Sequence, residues 1–212
     1  MKLTNAWNRL VYRLWSPVYD VLDRGFFAPE RKRAIEELKL QPGERVLLAG
    51  VGTGADLPLL PDGIEAIGID LSPDMLRRAR AKLPRAGCAV TLIQADAQEP
   101  GMAESRFEAV VFNLILSVVP DGAACWRESL RALKPGGRAV IFDKFLPETA
   151  SLTAGRRLLN LLTSTFGTDI TRRFSDLTAG TDFTVLYDKP SLLHGAYRII
   201  AIRKDGGPLL PR

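Results

Sequence analysis

The chain has 212 residues, 46% of them hydrophobic and 25% charged, which is an ordinary composition for a globular protein with one sizeable core. Its formal net charge of +5, from 29 basic and 24 acidic residues, suits an anionic partner such as a lipid headgroup or a nucleic acid. Its two cysteines exclude a disulfide framework, and the longest uncharged apolar stretch, residues 109–120, is too short to span a bilayer.

The first 22 residues predict an amphipathic helix. Their large apolar residues recur at steps of three and four, and they are Leu3, Trp7, Leu10, Val11, Leu14, Trp15, Val18 and Leu22. Pro17 should kink or divide this helix, and Arg9 and Arg13 lie on or beside its other side. This composition is typical of a helix at a bilayer interface, but also of a lid helix packed on the protein's own pocket. The arginines also interrupt any signal-peptide core, so we expect a cytoplasmic protein, with peripheral contact to the inner face of the membrane if the helix enters lipid.

A glycine-spaced loop follows the first predicted strand. Residues 46–49 are apolar, and Gly50, Gly52 and Gly54 allow a sharp turn and a close approach of the backbone to a ligand. A helix near Asp56 would direct its free N–H groups toward that ligand. A second apolar run ends at Asp70, about 20 residues after the first glycine, where an acid is placed to bind ribose hydroxyls. These features predict a nucleoside-binding α/β half-domain, and the spacing alone also admits NAD.

The rest of the chain alternates between strands and helices. Strands are predicted near residues 45–49, 64–69, 88–94, 107–113 and 138–143, and helices near 56–60, 73–84 and 121–134. Ser72 is predicted to cap the second of these helices, with Pro73 in its first turn. A further helix is predicted over 151–165, and a hairpin over 181–188 and 195–204. The alternation predicts a doubly wound, mostly parallel sheet covered on both faces.

Four later segments identify a family. Gly68–Leu76, Gln94–Ala97, Asn113–Ser117 and Leu133–Arg138 resemble, in order, segments of the class I S-adenosylmethionine (AdoMet) methyltransferases. With Trp15–Asp20 and Phe166–Ile170 included, residues 10–204 resemble the bacterial phospholipid N-methyltransferases and quinone C-methyltransferases. The resemblance implies a Rossmann-like sheet of seven strands with an antiparallel C-terminal pair. It also implies N-terminal lid or membrane-contact helices over 1–36, and an AdoMet-binding domain over 37–212 with a substrate cover at 145–180.

The same resemblance assigns the cofactor, AdoMet, and its product, S-adenosylhomocysteine. The loop N–H groups would receive the carboxylate, Asp70 the ribose hydroxyls, and Met75, Asp96 and Ala97 the adenine. The full set of assigned residues is Gly50, Val51, Gly52, Thr53, Gly54, Asp56, Asp70, Leu71, Met75, Asp96, Ala97, Asn113 and Leu114. One position departs from the family, because Leu48 stands where an acid usually holds the ammonium. The ammonium must then find carbonyl groups, such as those of Ala49 or Asn113, or the Asp56 carboxylate.

The acceptor is predicted less closely than the cofactor. By position in the family Tyr19 lies near the reacting methyl, and Tyr12, Lys144, Arg173 and His194 are the candidate substrate contacts. Tyr19, Asp20 or a water are the candidates for a base, and the sequence singles out none of them; no metal site or nucleic-acid partner is predicted. Three functions stay open. The first is methylation of a membrane-derived amphiphile, above all the amine of phosphatidylethanolamine. The others are methylation of a quinone or another small molecule, and non-catalytic AdoMet binding.

Overall fold

The computed structural model describes residues 26–148, 169–193 and 195–206. Seven strands form one sheet, and they are β1 (Arg45–Ala49), β2 (Glu65–Asp70), β3 (Ala89–Gln94), β4 (Phe107–Asn113), β5 (Leu133–Lys144), β6 (Phe183–Pro190) and β7 (Tyr197–Lys204). The helices of these ranges are α1 (Ala28–Glu37), α2 (Pro73–Arg80), α3 (Gly122–Ala132) and α4 (Phe174–Thr178). Within them, no helix is long and apolar enough to cross a bilayer.

The strand order is β3-β2-β1-β4-β5-β7-β6. Strands β1 to β5 pair in parallel, and β7 pairs antiparallel with both β5 and β6. The predicted seven-stranded sheet with an antiparallel C-terminal pair is therefore confirmed. The residues before the fifth predicted strand are part of β5 and form a bulge in it. Leu133 pairs with Phe107 and Arg138 with Ala109, so β5 has extra residues between two pairs that lie close together on β4.

Both faces of the sheet are covered. Neighbouring residues of a strand alternate between the faces, so Leu47 packs in one core cluster and Leu48 in the other. Trp126 of α3 anchors the first cluster against the rings of Phe112, Phe174 and Phe183. The second cluster contains α1 with the inner residues of β1, β5 and β7.

Two helix predictions need correction. The helix expected near residues 56–60 is a single turn of 3-10 helix, Leu57–Leu59. Pro61 explains the early stop, because a residue before proline is driven out of the helical region, and Leu60 is extended with ψ 136°. The helix expected over 73–84 ends at Arg80 and is followed by a 3-10 turn, Leu83–Arg85. The predicted Ser72 cap is confirmed, because its hydroxyl accepts the Met75 N–H at 3.4 Å.

Helix α1 crosses the predicted boundary between residues 1–36 and 37–212. Its buried residues Ala34 and Ile35 belong to the second core cluster. Arg33 donates to the Tyr187 hydroxyl, and Glu30 accepts from the Ser191 hydroxyl, so the helix is also held to the C-terminal hairpin. Residues 28–36 thus belong to the sheet domain rather than to a separate lid. The predicted helices over 1–22 and 151–165 lie outside the described residues.

Candidate active site

The candidate site lies at the carboxyl ends of β1 and β4. These two strands are neighbours, while β2 and β3 continue the sheet on one side and β5 on the other. Such a reversal of strand order opens a crevice at the carboxyl edge, which is where open α/β sheets bind ligands. The loops after β1, β2 and β4 therefore converge on one place.

The loop after β1 is shaped by glycine. Gly50, Gly52 and Gly54 all have positive φ, at 72°, 55° and 76°. A Cβ on Gly50 would overlap Ile115, and one on Gly54 would overlap the backbone of Ala79 in α2. Gly52 differs, because a Cβ there would meet no atom nearer than 4.0 Å. The loop thus presents bare backbone to open space at Gly52, a cradle that suits close approach of a ligand.

Hydrogen bonds hold the other loop residues in place. The Val51 N–H donates to the Ile69 carbonyl at 2.8 Å, and the Gly54 N–H donates to the Val51 carbonyl at 2.9 Å. Thr53 is buried, and its hydroxyl accepts from Lys82 Nζ at 3.1 Å. The turn is therefore fixed from within and from the segment after α2.

The Asp70 carboxylate is tied to this loop. Its Oδ2 accepts the Gly52 N–H at 2.9 Å, and its Oδ1 accepts the Ser72 N–H at 2.8 Å. Burial raises the pKa of Asp70, and these two backbone N–H groups oppose that rise. Each oxygen has a second lone pair, so the carboxylate has the capacity to accept two hydroxyls while it holds the loop.

The residues assigned to adenine flank Asp70. Met75 is buried, and among the described residues it belongs to neither core cluster, so its thioether is not part of the main packing. Asp96 follows β3, where its Oδ1 accepts the backbone N–H and the side-chain amide of Gln98, both at 2.9 Å. Ala97 is buried beside it, and Leu71 is half-buried after β2.

A buried ion pair lies on the other side of the glycine loop. Arg31 Nη1 contacts both carboxylate oxygens of Asp56 at 3.1 Å, and Asn113 Nδ2 donates to Asp56 Oδ1 at 2.9 Å. Asn113 Oδ1 is buried and has no hydrogen-bond partner among the described residues. A buried polar atom without a partner is costly, so this acceptor is a strong indication of a ligand group. The site residues therefore fit AdoMet, which carries hydroxyl, amine and carboxylate groups.

The loop after β4 is strained at its first residue. Leu114 has φ 61°, a left-handed conformation that is unusual for a residue with a side chain, and its N–H donates to the Phe142 carbonyl at 2.8 Å. The next residue, Ile115, is the one that a Cβ on Gly50 would overlap. The two loops thus fit closely together.

The candidate acceptor contacts lie farther along the same edge. Lys144, the last residue of β5, has its ammonium 5.6 Å from the centre of the Tyr197 ring. Burial lowers the pKa of Lys144, and the nearby carboxylates of Asp143 and Asp169 oppose that change. Asp143 itself is fully buried and accepts the Ser117 N–H at 3.0 Å. This region combines a cation, carboxylates and an aromatic ring.

Two neighbouring arginines differ in position. Arg172 donates to the carbonyl groups of Leu116 and Pro120, so it supports the loop after β4. Arg173 is half-buried at the N-terminal cap of α4. Tyr12, Tyr19 and His194 lie outside the described residues. Within the described ranges no group of three or more histidine, cysteine, aspartate or glutamate residues is arranged to hold a metal ion.

Sequence reasoning missed Arg31 and Gln98. Arg31 is separated from Asp56 by 25 residues and lies on a different element. No spacing rule links such positions, because the contact depends on how α1 packs on the sheet. Gln98 had a local signal, since an acid followed two residues later by a donor commonly forms a turn.

Comparison with known proteins agrees with this geometry. A family model described as a methyltransferase domain matches residues 47–141. A phosphatidylethanolamine N-methyltransferase of Cereibacter sphaeroides is 30% identical over 195 residues, which cover 91% of this chain and 95% of that protein. A ubiquinone/menaquinone biosynthesis C-methyltransferase of Syntrophotalea carbinolica is 33% identical, over 66% of this chain and 62% of that protein.

The fold is shared with solved structures as well. A SAM-dependent methyltransferase of Thermotoga maritima superposes with a TM-score of 0.65 at 20% identity, over 93% of this chain and 100% of that one. The family resemblance drawn from the sequence is thus confirmed, and AdoMet is the cofactor. The chain belongs to the class I AdoMet-dependent methyltransferases and is an enzyme of that family.

Proposed function

We propose that this enzyme methylates the amine of phosphatidylethanolamine and of its partly methylated forms. One observation carries the proposal, namely the extent of similarity to the Cereibacter sphaeroides enzyme. That similarity covers 91% of this chain and 95% of the other, and so extends well beyond the methyltransferase domain at 47–141. The Syntrophotalea carbinolica relative matches only 66% of this chain. Since the shared fold and cofactor half do not fix the acceptor, the longer match favours the lipid.

The roles of the cofactor residues follow from their groups. Asp70 would accept the ribose hydroxyls, and Asp96 the adenine amino group, while Met75 would lie against the adenine ring. The N–H groups of Val51, Gly52 and Gly54 are already donated within the protein, so the carboxylate of the methionine end would be received by the other N–H groups of the loop, such as that of Thr53. The 3-10 turn after the loop is too short for a helix dipole to contribute. The remaining assigned residues of the loop and strand ends, including Leu71, Ala97 and Leu114, would form the walls.

The protein's contribution to the reaction would be mostly orientation. Bound AdoMet supplies an electrophilic methyl group on a sulfonium. The amine nitrogen would form the new bond in line with the carbon–sulfur bond that breaks, and the released electron pair stays on sulfur. Holding the amine in that line reduces the entropic barrier, and excluding water protects the methyl group. Because an ammonium has no lone pair, a proton must leave first, and we place Tyr19, Asp20 or a water in that role.

The acceptor edge suits a phospholipid headgroup. Lys144 and Arg173 provide positive charge for a phosphate, and the Tyr197 ring lies beneath the Lys144 ammonium. The overall charge of +5 favours approach to an anionic membrane. If the helix that the sequence predicts around Arg9 and Arg13 enters that surface, the acyl chains would remain in the bilayer while the headgroup reaches the methyl.

A direct assay tests the acceptor. The full chain is incubated with methyl-labelled AdoMet and vesicles that contain phosphatidylethanolamine and phosphatidylglycerol, and products are identified by mass spectrometry. We expect mono-, di- and trimethylated headgroups. Vesicles without phosphatidylethanolamine are the control. Absence of methylated lipid, together with methylation of a demethylmenaquinol offered in parallel, would reject the lipid and support the second candidate, the quinone.

The membrane role has its own test. Charge reversal at Arg9 and Arg13 should weaken co-sedimentation with anionic vesicles and reduce its dependence on salt. Reversal at Arg77 and Arg78, on α2, is the matched control for net charge. If both double variants bind vesicles equally well, the N-terminal helix is a lid that does not contact lipid.

A further inference from the structure

We infer that Asp56 and Asn113 together bind the α-ammonium group of AdoMet, and that Arg31 is the positioning residue that holds them. This inference deepens the cofactor role proposed above for the glycine loop and rests on it. It explains how an enzyme with Leu48 on β1, only 1% exposed and without an acceptor, holds a charged amine.

Topology places these groups beside the glycine loop. Leu48 pairs with Val111 in the parallel ladder of β1 and β4. When that register is continued, Gly50 and Asn113 leave the sheet side by side. Asp56 follows Gly54 by two residues, and Asn113 donates to it across the gap at 2.9 Å. The carboxylate and the amide therefore flank the start and the end of one loop.

The unused acceptors point to a cation. Asp56 is 3% exposed and Asn113 is 4% exposed. Both lone pairs of Asp56 Oδ1 are used, by Arg31 and Asn113, whereas Oδ2 accepts from Arg31 alone within the described part of the chain. Asn113 Oδ1 has no partner among the described residues. One spare lone pair on a carboxylate beside one vacant amide oxygen matches a group with several N–H donors and a positive charge.

Arg31 makes this arrangement possible. Burying the Asp56 carboxylate costs free energy, and the Arg31 guanidinium offsets that cost because it contacts both carboxylate oxygens. The bridge fixes the plane of the carboxylate, and the bond from Asn113 then fixes which amide atom faces inward. Arg31 would therefore act on the ammonium through Asp56.

Ligands that differ only at the methionine end separate this role from general stability. Calorimetry compares three probes without any acceptor, so the outcome is independent of the lipid assay. S-adenosylhomocysteine has both charged groups, 5′-S-(3-carboxypropyl)-5′-thioadenosine lacks only the ammonium, and 5′-methylthioadenosine lacks the amino-acid end. We expect the unaltered protein to prefer the first probe to the second by about tenfold or more.

In the variants Asp56→Asn and Asn113→Leu, the ratio of the affinities for the first and second probes should fall toward one, while the affinity for 5′-methylthioadenosine is kept. Because Asp56→Asn removes the carboxylate that Arg31 contacts, the double variant Arg31→Met/Asp56→Asn removes both charges of the pair and should show the same loss in a stable protein. Asp70→Ala is the matched control, since it should weaken all three probes by a similar factor.

Two results would overturn the inference while leaving the glycine-loop site in place. One is an unaltered protein that binds the first two probes equally well. The other is a folded Asp56 or Asn113 variant that retains the full preference. If Asp70→Ala leaves every affinity unchanged, the glycine-loop site itself is misplaced, and the assignment of the ammonium falls with it.

Discussion

The two sides of the candidate site are built in different ways. On the β1–β2 side, the key contacts join residues close in sequence, since Asp70 is 18 residues from Gly52 and 2 from Ser72. On the β4–β5 side, the contacts span much of the chain. Asn113 is 57 residues from Asp56, and Arg172 is 56 from Leu116. The first side is encoded by a local motif, whereas the second exists only once distant elements have packed.

This difference matches the division of labour in the enzyme. In the cofactor roles proposed above, the local side binds the nucleoside through a short loop and one acid. In the same proposals the distant side holds the ammonium of the cofactor and presents the acceptor, and loops on a common scaffold allow such a part to vary. Substitutions on each side in turn therefore test whether one side mainly affects the stability of the protein and the other mainly affects cofactor binding.

The largest effect is expected from Arg172→Met. The guanidinium donates to the carbonyl groups of Leu116 and Pro120, and both would lose a charged donor. We expect a loss of about 2–4 kcal/mol in the free energy of unfolding, measured with urea. Arg77→Ala removes an exposed arginine of α2 and should change stability by less than about 0.5 kcal/mol. Equal effects would show that the long-range support of the β4 loop is unimportant.

The same contrast explains what the sequence could predict. Five strands of the parallel sheet, the hairpin and the Ser72 cap follow from apolar periodicity and capping rules. The glycine loop and Asp70 were located by their spacing. The role of Arg31 was not predicted, because its contact with Asp56 depends on how α1 packs on the sheet, and no local sequence pattern encodes that packing. The shortness of the turn at Leu57–Leu59 was not predicted either, although Pro61 is a local signal that a helix ends before it.

The second effect concerns the glycine loop and compares two of its residues. Gly54→Ala would press a Cβ to 2.9 Å from the Ala79 backbone, and α2 would have to shift. The Cβ of Gly52→Ala would have no neighbouring atom closer than 4.0 Å, so the only unfavourable factor there is the positive φ. We expect Gly52→Ala to lose about 1 kcal/mol of stability, and Gly54→Ala about 1 kcal/mol more.

Affinity for S-adenosylhomocysteine should sharpen the comparison. The Cβ of Gly52→Ala points into open space at the proposed site, so this variant should bind more weakly than its stability predicts. If Gly52→Ala binds normally, the cofactor does not approach that part of the loop.

A third, smaller effect is the pH dependence of cofactor binding. Burial raises the pKa of Asp70 above its ordinary value of 3.8, so its carboxylate takes up a proton earlier than usual as pH falls. The protonated form has lost an acceptor for the ribose hydroxyls. Affinity for 5′-methylthioadenosine should therefore decline as the pH falls toward and through this raised pKa, and Asp70→Ala should flatten the profile. If the affinity of the unaltered protein and that of Asp70→Ala depend on pH in the same way, Asp70 does not bind the ribose.

The smallest perturbation uses the two cysteines, one on each side of the sheet. Cys88 precedes β3 and is half-buried, whereas Cys125 in α3 is fully buried. Burial raises the pKa of the Cys125 thiol to about 12, so its thiolate is scarce at neutral pH, while partial burial and the nearby Asp62 carboxylate raise the pKa of the more accessible Cys88 thiol. In the folded protein we expect a thiol reagent to modify Cys88 quickly, and Cys125 only at the rate of unfolding. Cys88→Ser should abolish the fast phase and leave the slow one.

In Arg172→Met the slow phase should accelerate, since the opening of the β4–β5 side would then expose α3. An unchanged slow phase would mean that the Arg172 contacts do not govern the opening of the core.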